Sequence, residues 1–88
     1  MTMQHEIEIQ EVENVPEMLQ DGILYVSRRY CTAVHLCACG CRSETVTPLS
    51  DDGWHLSAGP TLLPSIGNQG FPCGSHYYIK GGRVEWLA

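Results

Sequence analysis

The chain opens with Glu6-Ile7-Glu8-Ile9-Gln10-Glu11-Val12, where polar and apolar residues alternate with the period of a half-buried strand. This pattern predicts a first strand that turns Ile7 and Ile9 toward a core. Pro16-Glu17-Met18-Leu19-Gln20 follows, with Asn14 as a cap ahead of the proline and Asp21-Gly22 as a stop. It predicts one short helix near residues 16–20. Ile23 to Ser27 and Cys31 to Cys37 are β-rich runs separated by a turn at Arg28 to Tyr30. In the second run Thr32, Val34 and Leu36 share one face, while Cys31, Ala33, His35 and Cys37 share the other.

Ser43 to Thr47 reads as a strand stopped by Pro48, and Asp51-Asp52-Gly53 as a turn ahead of a strand at Trp54 to Ser57. The proline- and glycine-rich segment from Gly59 to Gly74 predicts an ordered loop that tucks Leu62, Leu63 and Ile66 into the core. His76 to Lys80, then Gly81-Gly82, then Arg83 to Leu87 predicts a terminal hairpin, because paired glycines supply the positive φ angles of a tight turn. The expected fold is mostly β: a small zinc-stabilised antiparallel or mixed sheet of about six strands with one short helix, forming a single domain over residues 1–88.

A chain of 88 residues buries too little surface to stand comfortably without a staple. Five cysteines and four histidines offer one. Met1 to Glu13 is acidic and alternating, without the basic and apolar regions of a secretory signal. No apolar run approaches the roughly 20 residues that cross a bilayer, so no membrane partner is expected. The expected location is cytoplasmic, where thiols stay reduced and clustered cysteines hold metal more often than they pair. A net charge of −5, with Arg28-Arg29 as the sole basic pair, argues against a nucleic-acid partner.

Two motifs carry the chemistry: Cys37-Ala38-Cys39-Gly40-Cys41 and Cys73-Gly74-Ser75-His76. Together they predict a zinc site with ligands drawn from Cys37, Cys39, Cys41, Cys73 and His76. Five candidates exceed the four that tetrahedral zinc takes, and spacing does not choose which cluster cysteine is spare. His35 on the thiol face is a sixth candidate, better read as a hydrogen-bonding neighbour, and Cys31 reads as a small core residue. An iron–sulfur centre of the Rieske kind requires Cys-x-His before its Cys-x-x-His, whereas this chain has the reverse, His35-x-Cys37. A catalytic zinc would need an open position and a nearby base, and Glu44 stands in no motif relation to the ligands. The expected function is therefore a non-enzymatic module that binds a protein partner. The alternative is an enzyme component whose spare thiolate acts as nucleophile, redox group or thioester acceptor.

The ordered combination of Cys37-Ala38-Cys39-Gly40-Cys41, Pro64-Ser65-Ile66, Cys73-Gly74-Ser75-His76-Tyr77-Tyr78-Ile79 and Gly82-Arg83-Val84-Glu85-Trp86 resembles a family of small bacterial metal-binding proteins of unknown function. Its members are often encoded beside activating-enzyme-like, conjugating-enzyme-like and JAB-type peptidase proteins of ubiquitin-like conjugation pathways. The resemblance spans residues 24–87 and implies an accessory or substrate-side role in such a pathway. The family commonly has Cys-Pro-Cys-Gly-Cys-Gly, where this chain has Ala38 and Arg42 in place of the proline and the last glycine.

Overall fold

The computed structural model describes residues 5–68 and 73–87. Two four-stranded sheets make up the architecture. The first carries β1 (Glu8–Glu11), β2 (Ile23–Ser27), β3 (Thr32–Leu36) and β4 (Glu44–Pro48) in that order. The second carries β5 (His55–Ser57), β6 (Thr61–Gly67), β7 (His76–Lys80) and β8 (Arg83–Trp86), again in sequence order. Neighbours are antiparallel except β1 and β2, which pair in parallel.

The alternation read from the sequence decides what faces the centre. Leu24, Val26, Ala33 and Cys37 of the first sheet share one core with Leu62, Ile66, Tyr77 and Ile79 of the second, each at most 1 % exposed. Full burial of one such apolar side chain contributes about 1.5–3 kcal/mol, so this shared face is the main apolar stabiliser of the pair of sheets. Val34 and Leu36, on the opposite face of β3, join Tyr25 and Leu19 in a smaller cluster flanked by Val12, Val15 and Ile23.

That second cluster accounts for a correction: the helix expected near residues 16–20 is absent, and no helix occurs among the described residues. A parallel β1–β2 pair needs a crossover of about a dozen residues, and residues 12–22 are consumed in making it. Along the way Val12, Val15 and Leu19 press on the outer face of the first sheet, while the backbone N–H of Gln20 donates to Tyr25 Oη at 3.0 Å. Met18 is 83 % exposed, so a helix here would bury only Leu19 and could not offset its own nucleation. The bent strap packs Val12 and Val15 there as well.

Two further expectations change. Ile7 enters the core as expected, although it lies outside the strand, but Ile9 does not face inward: all of β1 is exposed. Ile7 lies where the chain passes from one sheet to the other, its N–H bonded to Gly82 O while Glu6 bridges Arg83. The supposed loop from Gly59 to Gly74 contains β6, which pairs with both β5 and β7. Its Gly70 and Pro72 lie outside the described residues. The register between β6 and β7 shifts between Leu62 and Ile66, from Leu62↔Ile79 to Ile66↔Tyr77, so β6 spends four steps where β7 spends two. Pro64, which has no N–H for the ladder, sits inside that bulge. Proline therefore marked an irregular strand, not a loop.

The terminal hairpin forms as expected, with Gly81 and Gly82 at φ 57° and 76°. Among the described residues no helix is long and apolar enough to cross a membrane.

Candidate metal centre and active site

β3 ends at Leu36, and the chain then turns sharply through the first cysteine motif, with Gly40 at φ 93°. Across from it, Cys73 enters just ahead of β7. The turn gathers the Sγ atoms of Cys37, Cys39, Cys41 and Cys73 within 4.8 Å of one another. Cys37 Sγ is 3.5 Å from Cys39 Sγ and 3.7 Å from Cys73 Sγ. Thiolates sharing a tetrahedral ion at about 2.3 Å stand roughly 4 Å apart, so the spacing fits a metal ion without rearrangement.

Polar neighbours suit the cluster to ligation. Ser43 Oγ lies 3.3 Å from Cys41 Sγ, and its hydroxyl brings the Cys41 thiol down to about 6. Ser75 lowers Cys73 in the same way, whereas burial pushes Cys39 up to about 11. The Asn68 amide donates to Cys37 Sγ and to Thr45 Oγ1, both at 3.2 Å, while its backbone N–H bonds Ser75 O. Asn68 thus ties the segment after β6 to the cluster, to β4 through Thr45 and to Ser75 just ahead of β7.

Four of the five sequence-selected residues come together in this group. The fifth, His76, is held elsewhere: its Nε2 lies 2.8 Å from Ser65 Oγ. His35 is fully buried, with Nε2 2.7 Å from Tyr77 Oη, and burial lowers its pKa to about 4. Tyr77 Oη also accepts the Ala38 N–H at 3.3 Å, linking β7 to the centre of the cysteine turn. Cys31, expected in the core, is exposed in a turn at φ 50°. Arg42, where the resembling family has glycine, adopts φ 63° and is anchored by Asp21 at 2.6 Å.

The Ser65–His76 pair is the feature that residue spacing did not find. Ser65 lies in the β6 bulge and His76 opens β7 directly opposite Gly67, so the two side chains meet diagonally on the outer face of the second sheet. Both are half-buried. Cys-x-x-His spacing drew attention to His76 as a ligand and masked its relation to Ser65. The retrievable signal was that Pro64-Ser65-Ile66 and Ser75-His76 belong to the same ordered motif set. The ion pairs among the described residues, Arg28–Glu11, Arg29–Glu13 and Arg42–Asp21, do not reach His76.

Fold and site together define a small two-sheet β protein with a four-cysteine cluster that could hold a metal ion, and a serine–histidine pair on the adjoining strands. The chain belongs to the BubE family, described as the bacterial ubiquitination-like system serine protease, whose model matches residues 11–87. No curated protein and no solved structure matches it.

Proposed function

We propose that the protein is a serine hydrolase of a bacterial ubiquitination-like system, with Ser65 as nucleophile, His76 as general base and a structural zinc ion bound by Cys37, Cys39, Cys41 and Cys73. The observation that carries the reading is the 2.8 Å approach of Ser65 Oγ to His76 Nε2, within reach for direct proton transfer. The family's description as a serine protease agrees with it.

In this reading the Ser65 hydroxyl attacks the scissile carbonyl carbon as its proton passes to His76 Nε2. The imidazolium then gives that proton to the departing amine or alcohol, leaving an ester on Ser65. Water repeats the sequence: it loses a proton to His76, attacks the ester, and the proton returns to Ser65 Oγ as the carboxylic acid leaves. Among the described residues no carboxylate pairs with His76, and the base is oriented by its strand and by the Ser65 contact. Zinc, when bound, fixes the backbone at the start of β7 and takes no part in these steps. This replaces the binding-module expectation, which rested on a closed ligand set and on the lack of an evident catalytic base.

The test is covalent labelling with a fluorophosphonate on zinc-loaded protein. Mass spectrometry should place the adduct on Ser65, and Ser65→Ala and His76→Gln should each abolish it. Labelling that persists in Ser65→Ala would overturn the assignment, and labelling of a cluster cysteine alone would favour the thiolate alternative.

A further inference from the structure

Antiparallel pairing fixes where the backbone groups around the serine point. Leu87 N–H bonds His76 O from the β8 side, so the main-chain groups of His76 face β8, and those of Tyr77 face β6. Ile66, opposite Tyr77, and Asn68, whose N–H bonds Ser75 O, therefore turn their main-chain groups toward β7. Gly67 between them turns its own the other way, and Ser65, two residues earlier, lies in the bulge and has no register partner on β7.

On that other side the strand has no neighbour. β5 covers β6 only from Thr61 to Leu63, its last partner being His55. At Trp54 the chain has already left, with its N–H on Pro48 O at 2.9 Å and a bridge to Leu49. Among the described residues no strand pairs with β6 beyond Leu63 on the side to which the main-chain groups of Gly67 turn. Sheet proteins normally blunt such edges. Here β5 stops short at the one stretch that carries the serine.

Gly67 adds a second, independent feature. It lies directly opposite His76, and the flank of the Ser65–His76 pair at this position carries no side chain. A Cβ placed there would meet only His76 Cδ2, at 3.8 Å, an ordinary contact. The fold does not demand glycine here through clash or a positive φ. What the missing side chain leaves is room beside the reacting atoms.

We infer that the substrate of the Ser65–His76 pair is an extended stretch of polypeptide that binds through its main chain as an added strand on the open edge of β6, with Gly67 as the position that admits it. The inference rests on the hydrolase reading and names its substrate class: an unfolded tail or linker, read by main-chain hydrogen bonds, rather than a folded surface or a small ester. The strand occupies the line that β5 vacates, its amide groups pair with Ser65 and Gly67, and its scissile carbonyl is delivered to Ser65 Oγ.

The test compares two probes on zinc-loaded full-length protein: a diphenyl phosphonate without a peptide, and the same group preceded by acetyl-Ala-Ala. The peptide is expected to accelerate modification of Ser65 at least tenfold. N-methylation of one or other alanine amide should remove that gain. In Gly67→Leu the ratio of the two rates should fall at least tenfold, and in Gly67→Ala about threefold, with zinc content and far-UV circular dichroism recorded for each. Equal rates for the two probes on unaltered protein, or N-methylated peptides as fast as the parent, would overturn the added-strand proposal while leaving the pair's reactivity intact. Failure of both probes to modify Ser65 would instead remove the hydrolase reading, and this inference with it.

Discussion

Removing one oxygen from Tyr77 tests whether the cysteine turn and the strand bearing His76 are held as one unit. In Tyr77→Phe the ring keeps its place, 5.1 Å from Trp86 and fully buried, so packing is largely retained. The loss is confined to the hydroxyl. His35 Nε2 and the Ala38 N–H both lose their buried partner, and His35 Nδ1 already has none. Each stranded group costs about 1–3 kcal/mol, which with partial relaxation gives roughly 2–4 kcal/mol in all. Against a total stability of about 5–15 kcal/mol this is large, and it corresponds to a fall in Tm of about 10–25 °C for a domain of this size. The assay is urea and thermal unfolding of zinc-saturated protein followed by tryptophan fluorescence. His35→Phe combined with Tyr77→Phe should recover about 1 kcal/mol, since one stranded nitrogen is gone. A single variant within 0.5 kcal/mol of the parent, a threshold of about the size of ordinary surface changes, would refute the linkage.

Exhaustive chelation under reducing conditions should abolish cooperative unfolding, because structural zinc in small domains contributes about 10–16 kcal/mol of binding free energy, as much as the whole fold is worth; a retained transition would contradict the staple. Ser65→Ala should leave stability within about 0.5 kcal/mol while eliminating phosphonate modification, as expected for a half-buried hydroxyl whose role is chemical. The His35 imidazole should stay neutral until its pH falls to about 4, read from its ring proton shifts. The unfolded chain takes up that proton near 6.5 and the folded chain only near 4, so stability present above 6.5 is lost as the pH drops through this window, by about 3 kcal/mol; a ring titrating near 6.5 would show that His35 is not sealed. Arg42→Gly should be neutral to stabilising by up to about 1 kcal/mol, since relief of the left-handed backbone is set against loss of the exposed Asp21 pair; a loss above 1 kcal/mol in urea unfolding would mean that the pair outweighs the backbone.

Strands with clean alternation and marked turns were legible. The faces of β3 came out as read, with Ala33, His35 and Cys37 inward and Val34 and Leu36 on the second cluster, because one-sided burial enforces the period of two. Gly81-Gly82 announced its own turn. The misreadings share a cause: local signals that tertiary demand overrode. Asn14, Pro16 and Gly22 are helix punctuation, but residues 12–22 form an irregular, bent crossover that lays Val12, Val15 and Leu19 on the second cluster. Pro60 and Pro64 are loop punctuation, but Leu62 and Ile66 were wanted on the inner face of a central strand, and the bulge absorbed the proline between them.

Cysteine spacing located the cluster because ligands close in sequence must bend the chain locally, and that bend shows as Gly40 between two thiols. The Ser65–His76 pair left no such trace. It depends on the register between β6 and β7: the pairing of Leu62 with Ile79, carried on unbroken, would set Ser65 directly opposite His76, and the two-residue slip moves the pair to a diagonal, with Gly67 opposite His76. The slip in turn is bounded on one side by Leu62 against Ile79 and on the other by Asn68, which is fastened to Cys37 and Ser75. The diagonal placement of the serine against the histidine is therefore set by the same contacts that seat the cysteine cluster. If the ion is what holds that cluster rigid, then replacing a single cluster thiol, as in Cys73→Ser, should slow phosphonate modification of Ser65 even at temperatures where the sheets remain folded. Modification at the parent rate in a zinc-free, folded Cys73→Ser protein would separate the two features that the geometry joins.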